Sequence, residues 1–175
     1  IIDNTLELAR QGQIVVSFEP VDFADLITDC WRMTTDEDGL TIRGKATICG
    51  DPDRLGQLFE NLFRNCVDHA GPRVAVTTGL LGDDGIYVED DGPGIPEPYR
   101  GVLFKPGYTT ASGGTGFGLA IVAEIADAHG WTIRVTDSDT GGARFELTGL
   151  TFQTDDRTAT EVDSDQVITN KHRTH

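Results

Sequence analysis

The chain has 175 residues and an apolar fraction of 38%, enough for one domain with a sizeable core. Its net charge of −15 is Asp-rich, with lysine only at Lys45, Lys105 and Lys171. Such a surface repels phosphate backbones and anionic lipid, which excludes a general nucleic-acid binder or a membrane-contacting module. Cys30, Cys49 and Cys66 show no CxxC spacing, so a zinc site or disulfide framework is not expected and a reducing, cytoplasmic setting is. No apolar run reaches membrane-spanning length and no signal peptide opens the chain.

The first residue is Ile1, so the chain is expected to be a piece of a longer protein. Ile2, Leu6 and Ala9 share a face, and residues 1–12 read as the end of a preceding helix stopped by Gly12. Residues 13–150 read as the main domain. Within it, Asp22–Arg32 is an amphipathic helix with Phe23, Leu26, Ile27 and Cys30 inward, followed by short strands at Leu40–Arg43 and Ala46–Cys49.

The best-signalled element is Asp51–Ala70. Asp51 can cap it, Pro52 suits its first turn, and Asp53 suits the positive end of the dipole. Leu55, Leu58, Phe59, Leu62, Phe63, Cys66 and Val67 recur at three- and four-residue steps as one apolar stripe. Beside it sit Asn61, Asn65, Asp68 and His69. Asparagines at the edge of an apolar face need partners, and a rim position satisfied by water is the plain alternative to a ligand site.

Next, Arg73–Leu81 and Ile86–Asp90 form a hairpin through Gly82–Gly85, and Glu97–Tyr108 is short and irregular. Phe117–His129 is a helix closed by Gly130, and Trp131–Thr136 with Arg144–Leu147 makes a last hairpin. Residues 151–175 read as a polar, disordered tail. The expected fold class is an α/β (α+β) sandwich, with helices packed on one face of a mixed, largely antiparallel sheet.

Four stretches carry chemistry. Asp90-x-Gly92-x-Gly94 follows a strand, so a carboxylate with only acceptors could meet an exocyclic amine such as adenine's. Alone, it is better read as an acidic turn, common in a chain this rich in Asp. Gly114-x-Gly116-x-Gly118 opens a helix whose free N–H groups can face phosphates, although the spacing fits neither a dinucleotide fold nor a P-loop. Asn65 could offer its side-chain oxygen to Mg2+. Between the glycine stretches, Leu103–Thr110 joins Phe104 to Lys105 and Tyr108, an anchor with a cation and hydroxyls suited to a flap over phosphates.

The order of these stretches resembles the ATP-binding catalytic domain of sensor histidine kinases, in the superfamily that includes type II topoisomerase ATPases and heat-shock chaperones. Asn61–Asn65 resembles the N box, Asp90–Gly94 the first glycine box, Leu103–Tyr108 the phenylalanine box and Gly114–Leu119 the second glycine box. The acidic, lysine-poor composition is also similar to that of proteins from salt-loving microbes. The family resemblance implies ATP and Mg2+ as cofactors, with Asn65 on the metal and Asp90 reading the adenine amino group. Gly92, Gly94 and Ile95 would shape the base pocket. Gly114, Thr115, Gly116, Phe117, Gly118 and Leu119 would line the phosphates, and Lys105, Tyr108, Thr109 and Thr110 would form the lid. His69 falls where the family often has an aromatic residue or histidine near the phosphates, although a surface helix-end histidine fits it as well. Asp68 departs from the family's basic residue there and is expected either to turn outward or to be bridged by Mg2+.

The water-activating relatives carry a glutamate four residues before the magnesium asparagine. Asn61 occupies that position and has no basic carboxylate, so Asn61 and Asn65 are expected to position ATP for another nucleophile. By resemblance, that nucleophile is a histidine on a dimerisation (phosphoacceptor) helical segment, and the phosphoryl group passes on to the receiver domain of a response regulator. This piece is expected to be monomeric and the whole protein a homodimer. A protein-serine kinase of the anti-sigma-factor type and a non-catalytic ATP sensor are the alternatives.

Overall fold

The computed structural model describes residues 16–105 and 118–153. Its elements are β1 (Glu19–Asp22), α1 (Phe23–Thr34), β2 (Leu40–Arg43), β3 (Thr47–Gly50), α2 (Pro52–Ala70), β4 (Val76–Leu81) and β5 (Gly85–Asp90). There follow α3 (Glu97–Arg100), α4 (Gly118–Ala128), β6 (Thr132–Asp137), β7 (Ala143–Thr148) and β8 (Phe152–Gln153).

The α2 helix forms where its caps and periodicity predict. The Asp51 carboxylate accepts from the N–H groups of Asp53 and Arg54, at 3.1 and 3.2 Å, and so satisfies donors that the first turn leaves free. At the other end Gly71, at φ +97°, donates its N–H to Val67 O. Leu55, Leu58, Phe59, Leu62, Phe63 and Cys66 are completely buried. Each large apolar side chain stabilises the fold by about 1.5–3 kcal/mol on burial, far more than a cap. The α1 helix supplies Phe23 and Trp31 edge-on to Phe59 and Phe63, with centroids 6.3 and 5.3 Å apart. Trp31, which the α1 pattern had not placed inward, is buried because its Nε1–H finds Glu37 O at 2.9 Å. Leu26 is only partly buried.

The main sheet runs β2-β4-β5-β7-β6, with β2 and β4 parallel and every other pairing antiparallel. Alternation decides its two faces. Ile86 and Val88 of β5, with Phe145 and Leu147 of β7, join the core beneath the helices. On the other face Arg144 lies 4.1 Å from the Tyr87 ring centre and pairs with Glu89 and Glu146, and Arg134 also pairs with Glu146. Those two arginines hold the Glu146 carboxyl below its ordinary pKa, against the upward push of its burial. An antiparallel sheet can carry such a polar outer face.

A second, three-stranded sheet, β1-β3-β8, was not foreseen as a sheet, since only β3 had been read as a strand. Phe152 pairs with Ile48 and Gln153 with Thr47, so ordered structure continues past Leu150. Among the described residues no helix is long and apolar enough to cross a membrane. The helix expected at 1–12, the polar tail after Gln153, and Tyr108, Thr109, Thr110, Gly114, Thr115, Gly116 and Phe117 lie outside the described residues.

Candidate functional site

Residue alternation along β5 sends Asp90 to the same face as Ile86 and Val88, so a carboxylate arrives where the core begins. It is 6% exposed and needs partners. Its Oδ1 accepts from Gly92 N–H and from Ala143 N–H, both at 3.0 Å. Burial, followed by the negative charge of Asp90 beside it, pushes the thiol of Cys66, on α2, well above its ordinary pKa. Two fixed backbone donors orient the carboxylate plane, while Oδ2 takes neither of those bonds.

The backbone around Asp90 is equally constrained. Ser138 Oγ–H donates to Asp90 O at 2.9 Å, and Thr140 Oγ lies 3.3 Å from the same carbonyl and 3.0 Å from Ser138 Oγ. Gly142 N–H in turn donates to Ser138 Oγ at 2.8 Å. A Cβ on Gly142 would overlap both the Asp90 carbonyl and Oδ1, so the turn between β6 and β7 approaches only because a glycine is there. Gly94, at φ +79°, turns the chain after the strand, and a Cβ there would come within 2.7 Å of Gly141 O. Gly92 packs against Ala70 with the same lack of room.

Asp90 lines a small cleft, about 10 Å³, with Asn65, His69, Ala70, Pro93, Gly94, Ile95 and Ala143. Of the expected site residues, the fold thus gathers Asn65, His69, Asp90, Gly94 and Ile95, with Gly92 bonded beneath. Asn61 sits one turn earlier, outside the lining, and its Nδ2–H donates to Gln57 O at 2.7 Å. Asn65 makes no hydrogen bond among the described residues, so its side chain faces the cleft uncommitted. Asp68 is exposed and does not line the cleft. Glu60 lies beside Cys30 of α1, and burial with that charge raises the Cys30 pKa to about 12. Asp90 is the one carboxylate among the described residues that line the cleft, and Glu60 is not among them.

Lys105 is exposed, while Phe104 packs edge-on to Phe145 at 6.4 Å. Gly118 begins α4, and Leu119 is buried in the core. Sequence reasoning missed Cys66, Ser138, Thr140, Gly142 and Ala143 as supports of Asp90. Their only signal was a glycine-rich turn and one cysteine within an apolar stripe.

Residues 50–153 match the profile of the family described as histidine kinase-, DNA gyrase B-, and HSP90-like ATPases. The chain belongs to this family. Its curated relatives include the sensor-type histidine kinase PrrB of Mycobacterium tuberculosis, 34% identical over 82% of this chain and 35% of that protein. ZraS, a sensor histidine kinase of Escherichia coli, is 32% identical over 84% and 34%. The chain thus spans about a third of the length of these relatives. Among solved structures, the ATP-binding domain of PrrB from Mycobacterium tuberculosis superposes with a TM-score of 0.62 at 26% identity, covering 79% of this chain and 99% of that one. Full-length ShkA in complex with AMPPNP gives 0.68 at 25% identity, over 87% of this chain and 36% of ShkA. Family and fold accordingly make this chain a histidine-kinase-type ATP-binding domain.

Proposed function

We propose that this domain holds Mg-ATP with its base against Asp90 and presents the γ-phosphate to a histidine on a dimerisation segment of the whole protein. The phosphoryl group then moves to the receiver domain of a response regulator. The observation that carries this reading is the buried, doubly anchored Asp90 carboxylate at the cleft, opposite an uncommitted Asn65.

The residues fit the metal that this chemistry uses. Mg2+ keeps water and takes phosphate oxygens around one or two protein ligands, and Asn65 lines the cleft with its amide uncommitted. Asn65 would supply that ligand. The ion neutralises developing charge on the phosphates, and the chain's own residues position them. By the family resemblance Lys105, Tyr108, Thr109 and Thr110 would serve as the lid and Gly114, Thr115, Gly116, Phe117 and Gly118 would line the phosphates, whereas Leu119, also expected there, is buried in the core. His69 approaches the same end. Asn61 tethers its own helix rather than a water, so hydrolysis is slow and transfer is the productive outcome.

The setting is cytoplasmic, the piece monomeric and the whole protein homodimeric, and the acidic surface suits a salt-rich cell. The decisive experiment is phosphotransfer. The chain should bind ATP yet hydrolyse it very slowly, and a phosphoacceptor helical segment added in trans should acquire acid-labile, base-stable phosphate. Brisk hydrolysis without transfer would overturn the kinase reading.

Base choice tests the pocket. Adenine offers an amino donor to Asp90, whereas guanine offers a carbonyl and leaves the carboxylate unpaired, at a cost of about 1–3 kcal/mol. ATP should displace a fluorescent ATP analogue at least roughly tenfold better than GTP, and Asp90→Asn should narrow that gap. Equal displacement by both nucleotides would mean that Asp90 does not read the base.

A further inference from the structure

We infer that the turn between β6 and β7, through the hydroxyls of Ser138 and Thr140, is a specificity-determining support that fixes Asp90 for base discrimination. This rests on the reading of Asp90 as the adenine-amine acceptor. The turn is a small closed unit: Ser138 N–H donates to Gly142 O at 2.8 Å, and Gly141 N–H to Ser138 O at 3.1 Å. One buried hydroxyl, Ser138 Oγ, both donates to the Asp90 carbonyl and accepts from Gly142 N–H. The next residue, Ala143, supplies one of the two N–H groups on Asp90 Oδ1. The position of that N–H is therefore set by the same turn that grips the Asp90 main chain, 48 residues away in sequence.

A third tie comes from the loop after Asp90. Arg100 donates from Nε to Ile95 O at 3.0 Å and pairs through Nη2 with Asp137, the neighbour of Ser138, at 2.5 Å. Main chain, carboxylate and following loop are thus all fastened to residues 137–143. Because Asp90 offers only acceptors, discrimination requires that its oxygens not rotate to meet a different base edge. A preorganised carboxylate pays that ordering before the nucleotide arrives. Ser138 and Thr140 do not line the cleft, so they act through Asp90 rather than by touching the base.

The test is the ratio of ATP to GTP affinity, measured by displacement of a fluorescent ATP analogue from the full chain. A purely structural loss weakens both nucleotides equally and leaves that ratio alone. Ser138→Ala should lower it by roughly three- to tenfold, the range expected for one lost buried hydrogen bond. Thr140→Val should lower it less and Thr140→Ser should preserve it. Thr140 is exposed, so this pair carries the test even if Ser138→Ala does not fold. In an Asp90→Asn background the Ser138 and Thr140 substitutions should add nothing further to the ratio, because coupled residues are not additive. A ratio that collapses with Asp90→Asn but is unmoved by Ser138→Ala and Thr140→Val overturns the inference and leaves the base-reading role standing. A ratio unmoved by Asp90→Asn overturns both.

Discussion

Asn61 and Asn65 are the same residue type one helical turn apart, and the fold treats them differently. The Asn61 amide is spent on Gln57 O of its own helix, whereas Asn65 faces the cleft with no partner among the described residues. Asn65→Ala should therefore weaken Mg-ATP binding tenfold or more by calorimetry, while changing unfolding free energy by no more than about 0.5 kcal/mol. Undiminished affinity would remove Asn65 from the site. The three thiols divide just as sharply. Cys30 and Cys66 are buried with raised pKa values, so neither offers thiolate near neutrality, and Cys49 is only half-buried. A thiol reagent at pH 8 should label Cys49 in the folded chain and the other two only in denaturant. Labelling of Cys66 at the Cys49 rate under native conditions would contradict the Cys66–Asp90 contact. Asp90 itself was legible only through the order of the four motifs, since a carboxylate before two glycines is, alone, an ordinary acidic turn in a chain this rich in Asp. Its partners were not, because Ser138 and Gly142 meet it only through tertiary folding, and a Ser-Asp-Thr-Gly-Gly turn looks the same whether or not it holds anything.

At the scale of elements, long periodic segments were readable and short ones only in part: the four-residue strands β2 and β3 were expected, and β1 and β8 were not. The α2 helix combines a cap, a proline at its start and six completely buried side chains, so every local signal agrees. By contrast β1, which contains Pro20, and β8, only two residues long, carry no alternation of their own and pair on the two edges of β3. One contact between elements has a pH consequence. His129, at the end of α4, donates Nδ1–H to Ile125 O at 2.8 Å and accepts Asp51 N–H on Nε2 at 3.1 Å. It thus joins α4 to the capped start of α2 as a neutral ring. Protonation would place a second donor against Asp51 N–H, and burial in any case opposes the charge, which lowers the His129 pKa below its ordinary 6.5 despite the opposing pull of the Asp51 carboxylate. Between the folded and unfolded values the unfolded chain binds more protons, so stability rises with pH there. Above about 6.5 the group is neutral in both states and contributes no slope, and the loss begins as pH falls below that value. Melting temperature should fall more steeply from pH 7 to pH 5 in the unmodified chain than in His129→Gln. Parallel curves would acquit His129.

For the whole molecule, the excess of acidic groups, 29 against 14 basic, opposes compaction through self-repulsion. The ion pairs on the outer sheet face do not offset this broadly. They draw on Arg134 and Arg144, with Glu146 nearly buried, and so form one local network rather than a neutralised surface. Added salt acts on the two kinds of interaction unequally. Repulsion between exposed carboxylates acts across solvent and is screened as the Debye length falls from about 10 Å at 0.1 M to about 3 Å at 1 M, while the partly buried pairs are screened much less. Screening should therefore remove more repulsion than attraction, and the melting temperature should rise with potassium chloride. The shape of the rise identifies its cause. Screening is nearly complete once the Debye length is shorter than the spacing between surface charges, so most of the gain should arrive by about 1 M and the curve should then flatten. A salt acting instead by exclusion from the protein surface adds stability steadily with concentration. A thermal series at neutral pH from 0.1 to 3 M separates the two. A plateau is the expected outcome, and a linear climb to 3 M or an initial fall would contradict repulsion as the dominant electrostatic term in this fold.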